Sequence, residues 1–221
     1  MRRVLVLRPE PGASATVQRA LKRGIDAIAV PLFRVERVAW QAPDPARFDG
    51  LLLTSANAVR HGGEQLKSLR GLKVFAVGEA TAEAAREAGF DVASSGDGGV
   101  DRLLGAVDPG LRLLHLTSED RRESAAARQA IEPVAVYRAI PIEDPDLSAA
   151  TGTVALVHSP RAGRRFAQLT ERRASIAIAA FSEAAAEAVG GGWESVQAAP
   201  QPNDDALLAL AARLCNNPAA Q

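Results

Sequence analysis

The 221-residue sequence has a single cysteine, a single tyrosine and few aromatic residues of any kind, 4% in all. With Cys215 alone, no intrachain disulfide can form, and a reducing compartment is expected. With so few rings, the cores must be built from Leu, Val, Ile and Ala, and a hydrophobic content of 47% is enough for that. Lysine is nearly missing: Lys22, Lys67 and Lys73 leave 26 − 3 = 23 arginines. Such a bias follows from high-GC coding or from bidentate capture of carboxylates or phosphates. The formal net charge is zero, which argues against a basic nucleic-acid surface. No apolar run approaches the roughly 20 residues of a membrane span. The stretch Val4 to Leu7, ended by Arg8-Pro9, is too short for a signal peptide, so a soluble cytoplasmic protein is expected. His61, His115 and His158 are not closely spaced with one another or with Cys215, so a metal site is not expected. The G-x-S-x-G elbow, the phosphate loop and the G-x-G-x-x-G turn are all missing. Gly190-Gly191-Gly192 follows a helical run and reads as its C-terminal cap.

What the chain does contain is an ungapped internal echo. Leu51 to Ala58 is echoed by Ala155 to Ala162, Gly78 to Ala84 by Ser182 to Ala188, and Asp101 to Leu104 by Asp205 to Leu208. The offsets agree, since 159 − 55, 183 − 79 and 205 − 101 are all 104. A second echo relates Val4 to Leu7, with Glu10, to Leu113 to Leu116, with Glu119, at an offset of 109. The chain reads as four interleaved blocks, X–Y–X′–Y′.

Short apolar runs alternate with Ala-rich helical runs throughout. Strands are expected at 4–7, 25–30, 51–53, 74–77, 92, 111–116, 134–136, 154–157, 176–180 and 196. Helices are expected at 15–23, 56–69, 80–88, 100–107, 121–130, 162–170, 183–189 and 204–214. Strict alternation of β and α predicts parallel sheets with helices on both faces. The joint between Y and X′ is the tight turn Asp108-Pro109-Gly110, whereas Pro31 to Arg47 and Arg138 to Ala150 are long, extended and Pro-bearing. The expected parse is a discontinuous α/β domain of residues 1–33 and 141–221, with an α/β domain of residues 39–136 inserted in it. Residues 34–38 and 137–140 alternate like strands and are expected to pair as a two-stranded hinge ladder between domains that face a cleft.

Open parallel sheets bind ligands beyond the carboxyl ends of their strands. The segments there are Arg8-Pro9-Glu10, Thr54-Ser55-Ala56-Asn57, Gly78 to Thr81, Thr117-Ser118-Glu119, His158-Ser159-Pro160-Arg161 and Ser182-Glu183. Hydroxyls at helix starts are first of all caps. Together with the helix amides and with Arg8 and Arg161, they also suit a ligand rich in carboxylates or phosphates. Tyr137 lies where the inserted block runs into the second linker, where a phenol can hydrogen-bond a leaving hydroxyl or pack in a core.

These residues carry a resemblance. Leu7-Arg8-Pro9, Asp49 through Val59, Val74 through Ala82, Ala135 through Arg138, His158 through Ala162, and Pro202-Asn203-Asp204 leading into Ala206-Leu207-Leu208 are similar to segments of the uroporphyrinogen-III synthases. The resemblance spans nearly the whole chain. It implies two α/β domains joined by a ladder, a monomer, and no cofactor. It implies closure of linear hydroxymethylbilane, with its eight carboxylates, to uroporphyrinogen III. Water is lost and the last ring is inverted through a spiro-pyrrolenine intermediate. The bilane-forming enzyme is the implied partner for hand-over. Tyr137 takes the place of the family's important tyrosine. Thr81, Ser159, Arg8, Thr54, Ser55, Asn57, Ser118, Arg122, Arg161 and Ser182 are the implied substrate contacts, with Arg121 competing with Arg122 for one basic role. The chain departs from the family pattern at Ala185, where a threonine is common and where 81 + 104 = 185 matches Thr81. It departs again at Thr117-Ser118, where a glycine turn is common. Two other architectures share this outline. A periplasmic-type two-domain binder would leave Tyr137 without a role, and a twin-Rossmann transferase would require a Gly-rich phosphate loop.

Overall fold

A computed structural model describes residues 2–96, 99–120 and 127–216. Its elements, in chain order, open with β1 (Val4–Val6), α1 (Gly12–Lys22), β2 (Ala27–Ala29) and β3 (Phe33–Arg37). Next come β4 (Gly50–Leu53), α2 (Ala56–Gly62), β5 (Lys73–Val77), α3 (Glu79–Glu87), β6 (Val92–Gly96) and α4 (Gly99–Ala106). They are followed by β7 (Arg112–Ser118), β8 (Ala130–Pro141), β9 (Val154–Val157) and α5 (Pro160–Leu169). The chain then runs through β10 (Ala177–Ala180), α6 (Glu183–Ala188), β11 (Ser195–Ala198) and α7 (Asp204–Asn216). Short 3-10 segments lie at Pro45–Arg47, Gly63–Leu69 and Arg173–Ser175. The contacts divide the chain into two compact units, Met1–Arg34 with Pro141–Gln221, and Val35–Ile140.

The first unit holds a five-stranded sheet in the order β11-β10-β9-β1-β2, every neighbouring pair parallel. Its three central strands, VLV, VALV and AIAA, are buried along their whole length. Continuous apolar runs are what a sheet covered on both faces requires. On one face Val4, Val6, Val154, Leu156 and Ala179 pack against Ala13 and Ala20 of α1 and against Leu207, Leu210 and Leu214 of α7. On the other face α5 and α6 approach closely at Gly163. A Cβ there would stand 2.9 Å from Val189 Cγ1 and 3.2 Å from the Ala185 carbonyl. At the amino end of this sheet Arg2 donates 2.6 Å bonds to both oxygens of Glu194, and it also bonds the carbonyls of Gly152, Thr153 and Ser175.

The second unit holds a six-stranded sheet in the order β3-β8-β7-β4-β5-β6, and β8, β7, β4, β5 and β6 are mutually parallel. Leu51, Leu53, Leu114, Leu116 and Val136 face α2 and α3, while Leu52 and Leu113 face α4. The two sheets repeat one order. β4, β5 and β6 correspond to β9, β10 and β11, and Gly50–Leu53 plus 104 is 154–157, the span of β9. β7 and β8 likewise stand where β1 and β2 stand.

The structure corrects three local expectations. The helix expected over 56–69 breaks after Gly62, because Gly63 takes a φ of 65° and the Arg37 guanidinium fills the space a side chain there would need. Trp40 Nε1 then satisfies the Gly62 carbonyl at 2.9 Å. Of the helix expected over 121–130, residues 121–126 lie outside the described residues, residues 127–129 are not helical, and Ala130 already belongs to β8. The short strand expected at 134–136 is the middle of a 12-residue strand that takes in all of residues 137–140 and the start of the expected second linker. Residues 34–38 and 137–140 are paired as expected: β3 is the edge strand beside β8 in the six-stranded sheet, with Val38 N–H donating to the Val136 carbonyl and Ile142 N–H to the Leu32 carbonyl, both at 3.0 Å.

Candidate active site

In the unit of residues 35–140, the chain leaves β4 through Thr54 and Ser55. Ser55 has an extended backbone and its hydroxyl accepts from Asn57 N–H at 3.2 Å, capping α2. Asn57 is therefore in the first turn, half-buried. Ser118 ends β7, and the neighbouring β8 carries one extra residue at this level. Thr117 is level with Ala135, but Ser118 is level with Tyr137. The extra residue is Val136, and it changes the face of everything after it. Along an unbroken strand Tyr137 would share the side of Ile131 and Ala135, because side chains alternate. Past the bulge it packs instead against the cluster that holds Val136 and the α2 and α3 side chains. The Tyr137 carbonyl accepts from Glu119 N–H at 3.0 Å, which fixes the shifted register.

On that face the phenol lies near the Ser55 and Ser118 hydroxyls. Burial pushes its pKa up from 10.0, and the two serine hydroxyls only partly oppose that shift. The group is a protonated phenol beside two hydroxyls. The His61 ring lies beside it, with centroids 6.2 Å apart. Burial holds the His61 pKa below its usual 6.5, and the charges of Arg60 and Arg37 add to the effect, so that ring is neutral at pH 7.

A cavity of about 610 Å³ opens beside these groups. Thr54, Ser55, His115, Thr117, Ser118 and Tyr137 supply its polar lining, and Leu52, Val77, Val100 and Ile131 supply apolar wall. His115 is only 8% exposed, and its Nε2 stands 3.0 Å from Thr54 Oγ1. Thr81 lies in the first turn of α3 and is 5% exposed. The start of α3 has no side-chain cap, because Gly78 takes a φ of 81° in the capping position.

In the unit of residues 1–34 and 141–221, Ser159 caps α5 by accepting from Ala162 N–H at 3.2 Å, and Ser182 caps α6 by accepting from Ala185 N–H at 3.3 Å. Arg161 places its guanidinium 4.7 Å over the Phe33 ring. Arg8 reaches across the first turn of α1, where a Cβ on Gly12 would stand 2.7 Å from its Nε. Its Nη1 bonds both oxygens of Asp204, at 3.2 and 3.3 Å. Asp204 also accepts from Thr16 at 3.1 Å and from Arg19. His158 Nε2 lies 3.5 Å from the same carboxylate, too long for a full hydrogen bond, and its ring stacks on Phe181. His158 is held well below its usual pKa, first by burial and then by the charge of Arg8. Burial of Asp204 is outweighed by His158, Arg8 and Arg19, so its pKa lies below the normal carboxylate range.

The structure thus brings Tyr137, Ser55, Ser118 and Thr54 together in one unit, and Arg8, Ser159 and Arg161 stand at the strand ends of the other. Arg121 and Arg122 lie outside the described residues. Asp204, Thr16, Arg19, His115 and Thr117 had not been singled out as site residues. An aspartate at a helix start reads as a cap, and nothing in the sequence ties it to an arginine 196 positions earlier. Among the described residues no group of three or more His, Cys, Asp or Glu is placed to hold a metal ion, and no helix is long and apolar enough to cross a membrane.

Residues 14–209 match the family model described as uroporphyrinogen-III synthase HemD. A curated relative, the uroporphyrinogen-III synthase of Chlorobaculum parvum, is 30% identical over 101 residues, covering 42% of this chain and 41% of the relative. That match therefore spans about two-fifths of the relative's length. Among solved structures, uroporphyrinogen-III synthetase from Helicobacter pylori superposes with a TM-score of 0.65 at 18% identity, over 97% of this chain and 100% of that one. A mutant uroporphyrinogen III synthase from Thermus thermophilus superposes with a TM-score of 0.54 at 18% identity, over 98% and 100%. At such identities the two structures establish a shared mixed α/β fold with parallel sheets. The family model, extending over most of the sequence, establishes more: the chain belongs to the uroporphyrinogen-III synthase family.

Proposed function

We propose that the protein closes linear hydroxymethylbilane to uroporphyrinogen III in tetrapyrrole biosynthesis. The observation that carries this reading, in a member of this family, is the half-buried phenol of Tyr137 beside Ser55 and Ser118 in the lining of the cavity. The substrate's terminal C–O bond breaks as its pyrrole nitrogen pushes electrons toward the carbon, giving an azafulvene and water. Tyr137 hydrogen-bonds the departing oxygen, and because burial raises its pKa it keeps its proton in the resting state. The electron-rich pyrroles supply most of the driving force. The substituted carbon of the last ring attacks first to give the spiro-pyrrolenine. That intermediate fragments and recloses through the other position, which inverts the ring. Unguided closure gives the type I isomer, so the protein's work is mainly to hold one conformation and exclude water.

The hydroxyls and amides of Thr54, Asn57, Thr81, Ser159 and Ser182, with Arg8 and Arg161, serve as contacts for the substrate's carboxylates in this reading. Arg8 is already engaged by Asp204, so it presents a fixed guanidinium edge rather than a free charge. The same proposal takes residues 1–33 with 141–221 and residues 39–136 as the two working domains, with 34–38 and 137–140 as the hinge. It places the reaction in the cytoplasm, where the free thiol of Cys215 stays reduced, with the bilane handed over by the enzyme that makes it.

The test is an isomer assay. Hydroxymethylbilane is generated enzymatically, the purified protein is added without metal or nucleotide, and the oxidised products are separated by chromatography. Type III is the expected main product. Type I alone, from a folded sample, would remove the proposal.

A further inference from the structure

The cavity of residues 35–140 reaches past Tyr137 to Thr54 and its partner His115, a residue that the reaction as described leaves unused. Thr54 is half-buried at the end of β4, and its Oγ1 meets Nε2 of His115 at 3.0 Å. His115 points to the α4 side of β7, the side of Leu113, and is held there with 8% exposure. Thr117, two residues on, lies on the same side and is 5% exposed. Among the described residues the lining carries no carboxylate and no ammonium or guanidinium group. Its polar atoms are hydroxyls, one imidazole and the Gln129 amide, and Gln129 spends its N–H groups on the carbonyls of Leu104 and Val107. A wall of neutral donors next to apolar side chains suits a flat ring that bears a carboxylate arm. A volume of about 610 Å³ takes one pyrrole with its side arms rather than the whole bilane.

The direction of the Thr54–His115 bond decides what the pair can do. If His115 Nε2–H donates to Thr54 Oγ1, the hydroxyl proton of Thr54 is left to point into the cavity. It then meets a carboxylate as a prearranged donor, with no loss of rotor freedom on binding. An apolar residue in place of His115 would free that rotor.

We propose that the Thr54–His115 pair receives a carboxylate arm of one substrate pyrrole, with Thr54 as the contact and His115 as the positioning residue that aims its hydroxyl. The inference rests on the proposed reaction. It assigns His115 a part in substrate binding and none in bond breaking, so the pair acts on KM while Tyr137 acts on kcat.

The experiment compares the wild type with Thr54→Val, His115→Phe, His115→Gln and the double variant Thr54→Val/His115→Phe, on enzymatically made hydroxymethylbilane. Thr54→Val and His115→Phe should each raise KM about 10-fold, the effect of one hydrogen bond to a charged group. Their kcat should stay within about twofold of wild type. His115→Gln keeps an N–H donor and should recover most of the loss, and the double variant should be no worse than either single one. In parallel, uroporphyrinogen III is titrated into 15N-histidine-labelled wild type, where the His115 ring signals should move. An unchanged KM in both single variants overturns the inference, as do His115 signals that stay fixed in an active wild type. A wild type that makes only the type I isomer fails the proposed function instead. Should His115→Phe not fold, the glutamine variant and the wild-type titration still decide.

Discussion

Replacing Tyr137 by phenylalanine removes a single oxygen from the cavity mouth and leaves the ring's packing intact. The neighbouring hydroxyls of Ser55 and Ser118 both line the cavity and can turn to water. Stability should therefore fall by only about 1 kcal/mol. Catalysis should fall further. A positioned donor to a leaving group is worth roughly 10² to 10⁴ in rate. Burial has raised this phenol's pKa, and each unit of such a rise costs about 1.4 kcal/mol in proton donation. A hydrogen bond rather than a full proton transfer is then the main contribution, which puts the expected loss in kcat near the lower end, about 100-fold or ~2.7 kcal/mol. The assay is initial-rate formation of the type III isomer against bilane concentration, with type I measured beside it as the background of unguided closure. KM should change little, since the ring still fills its place. Ser159→Ala is the control. Its hydroxyl caps α5, so it should cost about 1 kcal/mol of stability and much less rate. Equal and mild losses in the two variants would make Tyr137 a packed core residue and remove it from the mechanism.

Three further predictions concern the frame around the site. Arg2→Ala should lower the urea unfolding free energy by about 3 kcal/mol, because Glu194 and three carbonyls lose their common donor in a largely buried place. Gly163→Ala should cost about 1–3 kcal/mol, since its Cβ would lie 2.9 Å from Val189, and a loss below about 0.5 kcal/mol would show that α5 and α6 can part freely. The third is acid sensitivity. His158 and Asp204 both have folded pKa values below their unfolded ones, so each contributes stability that is fully present above its unfolded value and lost as pH falls. Stability should begin to drop below about pH 6.5 as His158 is forced to charge, and drop again below about pH 4 as Asp204 protonates. Asp204→Asn should erase the lower step in a pH series of denaturation curves and keep the upper one.

The spacing of 104 was legible because each strand of these sheets is a short apolar run bounded by a turn, so copies stay in register even when other residues drift. β9 falls where β4 plus 104 places it, and the order β9-β10-β11 repeats β4-β5-β6. Helix ends were less legible. The α2 pattern continues past Gly62, and only the Arg37 guanidinium, folded in from another segment, explains the break at Gly63. The hydroxyls that cap α2, α5 and α6 were read from local chemistry, and the capping bonds are present. The Arg8–Asp204 bond joins residues far apart in the chain, and no local pattern carries such information. The orientation of Tyr137 was hidden for a different reason. Alternation predicts which side of a strand a residue takes only if every residue is paired, and Val136 is not level with any residue of β7.

That extra valine, matched to no residue of β7, bears on how such a site can be gained or lost. Substituting Val136 by another apolar residue would leave the phenol where it is, because the backbone count is unchanged. Removing the residue would swing Tyr137 to the opposite side of the sheet with its chemistry intact and its address wrong. For this position, then, the mutational event that matters is an insertion or deletion of one codon. A lineage could keep every functional side chain and still fall silent, or recover activity, by changing the length of β8 by one.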